Sequence, residues 1–387
     1  MKPILVVFLT VVLDLLGFGL VIPLLPFYAQ SHQASALEVT LLMACYSLAQ
    51  FVVAPLWGQL SDRVGRRPVM LVSIGLTAVM LAGFASASSL WMLFLFRTLH
   101  GAMTANISTA QACMADLTTP ENRAKGMGLI GAGFGIGFTL GPALGGQLAD
   151  YGLSVPLWIA AGLSAINFLL ALVWLPETRH AGSIRSERSI NPAALWRAIS
   201  APVIGLCVAL TFVQVFSFAL MESTFTLFAE DRHHMGPADI GWLFGFVGIV
   251  SIVIQGGVIG RLVRRFGEGP LISIGLALLA LGVTLLAVVP RGAGMLAVFG
   301  LMSLGQSLAT PSLQSLISRS AAASEQGSVL GSSQSMSALA RALGPAVGGL
   351  LFSRIGPSAP FLAAGGVLVL AVLLSVPATN RATSALH

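Results

Sequence analysis

The 387-residue chain is 56% hydrophobic and only 9% charged, with a mean hydropathy of +0.90. Soluble domains carry charge on about a quarter of their residues, so a water-solvated globule is excluded and lipid is the implied solvent. The formal net charge of +6 could suggest a nucleic-acid partner, but the placement of the basic residues, described below, assigns it to membrane topology instead, and no nucleic acid is expected.

Apolar runs long enough to cross a bilayer, roughly 20 residues each at 1.5 Å rise, are predicted at about 4–29, 37–60, 68–89, 91–115, 125–150 and 154–175. Six more follow at about 201–229, 238–262, 269–289, 294–318, 326–353 and 359–377, giving twelve predicted spans. Barrel strands would be roughly ten residues long and alternate polar with apolar, whereas these runs are continuous and rich in Leu, Ala and Gly. The segment Met1 to Gln30 is too long in its apolar part for a signal peptide and contains Asp14, Pro23 and Pro26. It is read as the first helix.

Of the 20 basic residues, Arg97 and Arg341 fall inside predicted spans, and Arg232, Arg291 and Arg354 in loops on one side. All the rest fall on the other side, so both termini are predicted to be cytoplasmic. Cys45, Cys113 and Cys207 lie in predicted spans, which leaves no disulfide framework and no zinc spacing. His233 and His234 stand together in an outer loop without further ligands, and no metal or organic cofactor is expected.

The longest polar stretch, 176–200, carries Arg185, Glu187 and Arg188 among small residues and reads as a linker. It divides the chain into an N-terminal six-helix bundle, 1–175, and a C-terminal one, 201–387. The halves repeat at a nearly constant offset, as duplicated transporter folds do. Gly58, Arg63, Gly65 and Pro68 recur 202 positions on as Gly260, Arg265, Gly267 and Pro270; Gly141, Pro142, Gly145 and Gly146 recur 203 on as Gly344, Pro345, Gly348 and Gly349. A six-plus-six bundle predicts a pathway near the midplane between the halves, opened to each side in turn.

The most specific motif is GQLSDRVGRRP, Gly58 to Pro68. Gly58 is expected to allow close helix approach and Gly65 a tight turn. Asp62 is suited to accept from guanidinium groups or to cap the next helix, and Arg63, Arg66 and Arg67 supply topogenic charge. The fifth span contains Gly128, Gly137, Gly141, Pro142, Gly145 and Gly146, with further glycines between them. Glycines four apart line one helix face and admit another backbone, while Pro142 is expected to bend the helix. Its GAGFGIG is not a phosphate loop, because no strand precedes it and no Gly-Lys-Ser/Thr follows. The fourth span reads LFLFRTLHGAMTAN, with Arg97, His100 and Gly101.

Together these motifs resemble the major facilitator superfamily over essentially the whole chain, most strongly its twelve-helix drug:proton antiporter branch of tetracycline-exporter-like and multidrug efflux proteins. TVVLDLLGFGLVIPLLP in the first span and YSLAQFVVAPLWG in the second fit that branch as well. The resemblance implies an all-α integral membrane protein of the major facilitator fold, with two pseudo-symmetric six-helix bundles in a bacterial cytoplasmic (inner) membrane, working as a monomer. It implies that Gly58, Asp62, Arg63, Gly65, Arg66 and Arg67 form a gating loop with Asp116 as partner. The fifth-span glycines are implied to mark an antiporter, and Arg97 to serve proton movement.

Two further acids enter the predicted site. Asp14 lies ten residues past Ile4, roughly 15 Å into a core about 30 Å thick. An ionised carboxylate there costs at least ~2.5 kcal/mol, so it faces a wet cavity, pairs with a cation such as Arg97, or is protonated; a static pair holding two helices together is the competing reading. Glu222, in ESTFTLFAEDR, matches an acidic position of bacterial multidrug and quinolone exporters. Arg341 is its expected counter-ion, with a purely structural pair as the alternative. Candidate substrate contacts are Phe18, Tyr46, Gln50, Gln111, Phe138, Phe218, Glu222, Phe225 and Gln306, a mixture of aromatic, amide and acid groups suited to an amphiphilic or cationic molecule. For each aromatic, packing duty competes with substrate contact.

The third span, Met70 to Ala87, and the ninth, Leu271 to Val289, lack the acids that tetracycline exporters carry there, and the tenth, with Gln306, Ser307 and Pro311, lacks that of some multidrug members. These departures count against tetracycline as the substrate. The expected function is proton-coupled export of amphiphilic or cationic drug-like molecules by alternating-access antiport. The alternative is a proton-linked exporter of one endogenous metabolite, such as a sugar or amino-acid derivative. An enzyme is not expected, since the sequence offers no nucleophile with a base, no metal set and no nucleotide loop.

Overall fold

The apolar runs fold as helices because a chain in hydrocarbon must satisfy its own backbone donors and acceptors. The computed structural model describes residues 3–104, 106–119, 122–178, 202–321 and 326–385. The predicted linker 176–200 therefore lies, beyond Thr178, outside the described residues. The first half contains α1 (Pro3–Val21), a 3-10 turn (Ile22–Leu24), α2 (Leu25–Ser31), α3 (Ala36–Val64), α4 (Arg66–Ala85), α5 (Leu90–Met103), α6 (Asn106–Leu117), α7 (Arg123–Leu148) and α8 (Val155–Trp174). The second contains α9 (Pro202–His233), α10 (Pro237–Val253), a π-helical turn (Ile254–Val258), α11 (Ile259–Phe266), α12 (Glu268–Leu286), α13 (Ala293–Ser320), α14 (Gln326–Arg354) and α15 (Ala359–Ala385). No strand occurs among the described residues.

Among the described residues ten helices are long and apolar enough to cross a membrane, against the twelve spans expected from the sequence. The fourth predicted span departs because it is divided into α5 and α6, and α5 carries Arg97 and His100. The twelfth is present as the apolar stretch Ala359–Ser375 of α15, within the predicted 359–377. At the division of the fourth span, side chains take over the carbonyls that a continuous helix would satisfy. Thr104 donates to the His100 carbonyl at 2.7 Å, Trp57 to Ala102 at 2.7 Å and Ser73 to Met103 at 2.7 Å.

The chain forms two compact units. One comprises 1–35, 48–189 and 235–248; the other comprises 36–47, 190–234 and 249–387. In the first, α1 packs on α7 and α8, and α4 on α8 and α5. In the second, α9 packs on α14 and α15, and α12 on α13 and α15. The two packing schemes correspond helix by helix, as the sequence repeat requires.

Candidate functional site

In the first unit, Asp14 is half-buried on α1, eleven residues past the start of the helix at Pro3, or about 16 Å by helical rise. Phe18 follows one turn later and faces the fourth span. The Arg97 guanidinium of α5 lies 5.8 Å from the Phe18 ring centroid, a cation–π distance, and Arg97 is only 4% exposed. Phe18 also meets Phe138 of α7 edge-on at 6.0 Å, and Phe138 stacks on Phe134 at 6.2 Å. The structure thus brings Phe18, Arg97 and Phe138 together beside the turn that carries Asp14. His100 is buried one turn from Arg97. Gln50 is half-buried and Gln111 exposed.

In the second unit, Glu222 is half-buried on α9. That helix continues to His233, eleven residues on, so Glu222 stands about 16 Å from its C-terminal end. Glu222 and Arg341 of α14 are electrostatically coupled, and Tyr46 acts on Arg341 as well. Arg341 is exposed on α14. Phe218 is half-buried. Phe225 is corrected: it is fully buried with its ring 4.7 Å from that of Phe299, so it packs the core rather than lining a pocket.

Sequence reasoning passed over Gln214, which is 1% exposed on α9. Its amide meets the Gln306 side-chain oxygen and the Thr310 hydroxyl, both at 2.8 Å. A lone amide in the apolar run VALTFVQVFSF is the signal that could have found it, because polar groups in such runs face the bundle interior. Near it, Gln255 donates to Ser307 at 3.4 Å, and Ser251 meets Ser303 at 3.1 Å. Gln255 lies in the π-helical turn, a local widening that often marks functional positions.

The motif loop of the first unit is an ion-pair and capping cluster. Arg66 binds Asp62 at 2.5 Å and Asp116 at 3.4 Å. Gly65 turns the chain with φ +118°, a backbone conformation that favours glycine. Glu177, which no pattern singled out, accepts the backbone N–H groups of Arg66 at 2.9 Å and Arg67 at 3.2 Å, capping α4. Arg67 reciprocates by donating to the Leu175 and Leu172 carbonyls at 2.8 Å, closing the end of α8. Arg63 is exposed. Gly58 is corrected: a side chain there would meet nothing within 4 Å, so no close approach explains it.

Along α7, Gly137 packs on Leu15 and Leu16 of α1, Gly141 on Gly19, and Gly145 on Leu20, while Gly146 faces Pro237, Ala238 and Gly241 of α10. The helix runs on through Pro142 without a break. Gly128, expected in the same seam, has nothing within 4 Å of an added side chain. The second unit repeats the arrangement, with Gly344 and Gly348 of α14 on α9. Among the described residues no group of three His, Cys, Asp or Glu side chains is placed to hold a metal ion.

Two half-chains with matching packing, paired intramembrane charges and a repeated loop motif indicate a duplicated transporter fold. The sequence profile of the Major Facilitator Superfamily matches residues 7–272 and 211–386. The chain belongs to the major facilitator superfamily. This facilitator is 35% identical over 344 residues to the tetracycline resistance protein, class C, of Escherichia coli, covering 87% of this chain and 86% of that protein. It is 29% identical over 367 residues to multidrug resistance protein 2 of Bacillus subtilis (strain 168), covering 93% and 91%. Among solved structures, the human organic anion transporter MFSD10 (TETRAN) matches with a TM-score of 0.74 at 29% identity, over 97% of this chain and 99% of that one. The nucleoside transporter NupG matches with a TM-score of 0.80 at 15% identity, over 98% and 99%, which shows the shared fold. The facilitator is thus a multi-pass membrane protein of the drug-efflux branch of this superfamily.

Proposed function

We propose that this facilitator exports amphiphilic or cationic drug-like molecules in exchange for protons, by alternating access of its halves 1–175 and 201–387, from a bacterial cytoplasmic membrane with both termini inside. The observation that carries the reading is the placement of one acid and one arginine in the membrane-spanning part of each unit. Asp14 and Arg97 share the Phe18 neighbourhood, and Glu222 is coupled to Arg341. The similarity to tetracycline and multidrug resistance proteins supports the direction of transport.

A carboxylate held in the membrane at a cost of at least ~2.5 kcal/mol is stabilised by either of two occupants, a proton or a cationic ligand. Competition between them at Glu222 is the simplest antiport cycle: drug displaces proton from one side, and proton displaces drug on the other. Arg341 and Tyr46 keep the site polar when neither is bound. Phe218, one turn before Glu222 on α9, supplies a face for the apolar part of the cargo. In the first unit, Asp14 takes up and releases a proton as its surroundings alternately wet and close, beside the Arg97 guanidinium, which keeps its charge throughout.

A growth-inhibition panel tests this reading. Expressed in a host lacking its own pumps, the wild-type chain raises the tolerated concentration of several amphiphilic cations, and Glu222→Gln does not. Unchanged tolerance across the panel with verified expression counts against drug export. The polar set Gln214, Gln306 and Thr310 favours one alternative, a proton-linked exporter of a single hydrogen-bonding metabolite, and protection against one polar compound alone would select it.

A further inference from the structure

The repeat that relates the halves carries a charge reversal. At the same offsets that superpose their glycines and prolines, Asp62 corresponds to Arg264, Arg66 to Glu268 and Asp116 to Arg319, so the three charges of the Asp62–Arg66–Asp116 set are reversed in the second unit, while Arg63 keeps its sign at Arg265 and Arg67 gives way to Gly269. The contacts follow the exchange. In the first unit Arg66, in the first turn of α4, reaches Asp116 near the end of α6. In the second, Glu268, in the first turn of α12, binds Arg319 near the end of α13 at 2.7 Å, and the Ser315 hydroxyl donates to the same oxygen at 3.0 Å. Each helix is entered through a glycine of positive φ, Gly65 at +118° and Gly267 at +77°, which turns the first residue of the helix toward its partner.

We infer that Glu268 and Arg319 are positioning residues for transport, the second unit's charge-reversed counterpart of the Arg66–Asp116 tie. The pair closes one end of a seam in which α12 and α13 touch backbone to backbone at Gly275, Gly305 and Ala309. It therefore holds the two helices as one rigid piece while the bundle rocks. The Glu268 side chain is 11% exposed, unlike the acid of an ordinary surface ion pair, whereas the Arg319 side chain is 57% exposed. Removing Arg319 leaves a largely buried carboxylate with the Ser315 hydroxyl as its remaining side-chain donor, whereas removing Glu268 merely frees an exposed cation. Loss of Arg319 is thus the more damaging of the two.

The reversal supplies a stringent test, because the first unit shows that the opposite polarity fits this geometry. The full chain in lipid nanodiscs is compared as wild type, Glu268→Arg, Arg319→Asp and the double variant that installs the first unit's polarity. Backbone hydrogen exchange is followed over 267–273 and 314–320. Both single variants are expected to speed exchange in both segments, Arg319→Asp about tenfold and Glu268→Arg by less, and the double variant to recover most of that protection. Ethidium efflux from proteoliposomes is measured alongside, with kcat expected to fall in the single variants at unchanged KM and to return in the double. Single variants with wild-type exchange, or a double variant no better than the worse single one, overturn the tie. Restored exchange without restored kcat, or kcat unaffected by broken protection, overturns the positioning role. This role rests on the transport reading, but the exchange measurement does not: a wild type that moves no ethidium counts against the drug-export reading and leaves the tie to be decided by exchange.

Discussion

Replacing Gly141 with alanine places a methyl group where two backbones meet. Its Cβ would lie 2.7 Å from the Gly19 Cα, 2.8 Å from the Gly19 carbonyl carbon and 3.0 Å from the Leu16 carbonyl oxygen. Carbon atoms in favourable contact sit about 3.5–4.0 Å apart, so α1 and α7 must separate locally by roughly 1 Å, and no side chain can rotate away to spare them. Overpacking of this kind costs about 1–3 kcal/mol. Gly128 lies on the same helix with open space around it, and alanine there removes glycine's helix-interior disadvantage of about 1 kcal/mol. The two alanine variants should therefore differ by about 2–4 kcal/mol, which for a chain of this length corresponds to roughly 2–5 °C in Tm. Thermal unfolding in detergent, followed with a thiol-reactive dye on Cys113 and Cys207, both buried, resolves that difference. If Gly128→Ala melts as low as Gly141→Ala, the backbone seam is not what the fifth-span glycines maintain.

Trp57→Phe deprives the Ala102 carbonyl of its donor at the division of the fourth span, and Thr104→Val deprives that of His100; each should lose about 1–3 kcal/mol in the same melting assay. Wild-type melting of both would mean that these carbonyls find other donors. Glu177→Ala uncaps α4 and should cost about 0.5–2 kcal/mol, seen as faster hydrogen exchange at Arg66 and Arg67 with no change at the far end of α4. Gln214→Leu leaves Gln306 and Thr310 without their shared partner. It should raise KM for cargo rich in hydrogen-bonding groups several-fold more than for an apolar cation, and equal effects on both would assign Gln214 to packing alone.

Fold class and family were legible because they rest on long-range regularities: apolar runs of helical length, a repeat at one offset and a motif loop with ordered glycines and charges. Boundaries were less so. The run from 91 to 115 has the length of one span, yet it breaks where Trp57 and Ser73, far away in sequence, offer donors to its carbonyls. Composition alone carries no such signal. The site was legible as single residues and not as partners. Asp14, Arg97, Glu222 and Arg341 stand out as charges in apolar runs, whereas Phe18 and Phe225 look alike in sequence and differ only in what packs against them. Glu177 and Glu268 were missed because acids at helix ends are common, and only their contacts distinguish them.

The central claim, that drug movement is tied to proton movement through the intramembrane acids, is tested most directly in proteoliposomes of the purified chain carrying a pH-sensitive dye inside. Adding an amphiphilic cation such as ethidium to wild type should move protons against the drug at a saturable rate, and Glu222→Gln should abolish that movement while folding normally. Drug-independent proton traces, or equal proton movement in wild type and Glu222→Gln, would contradict it.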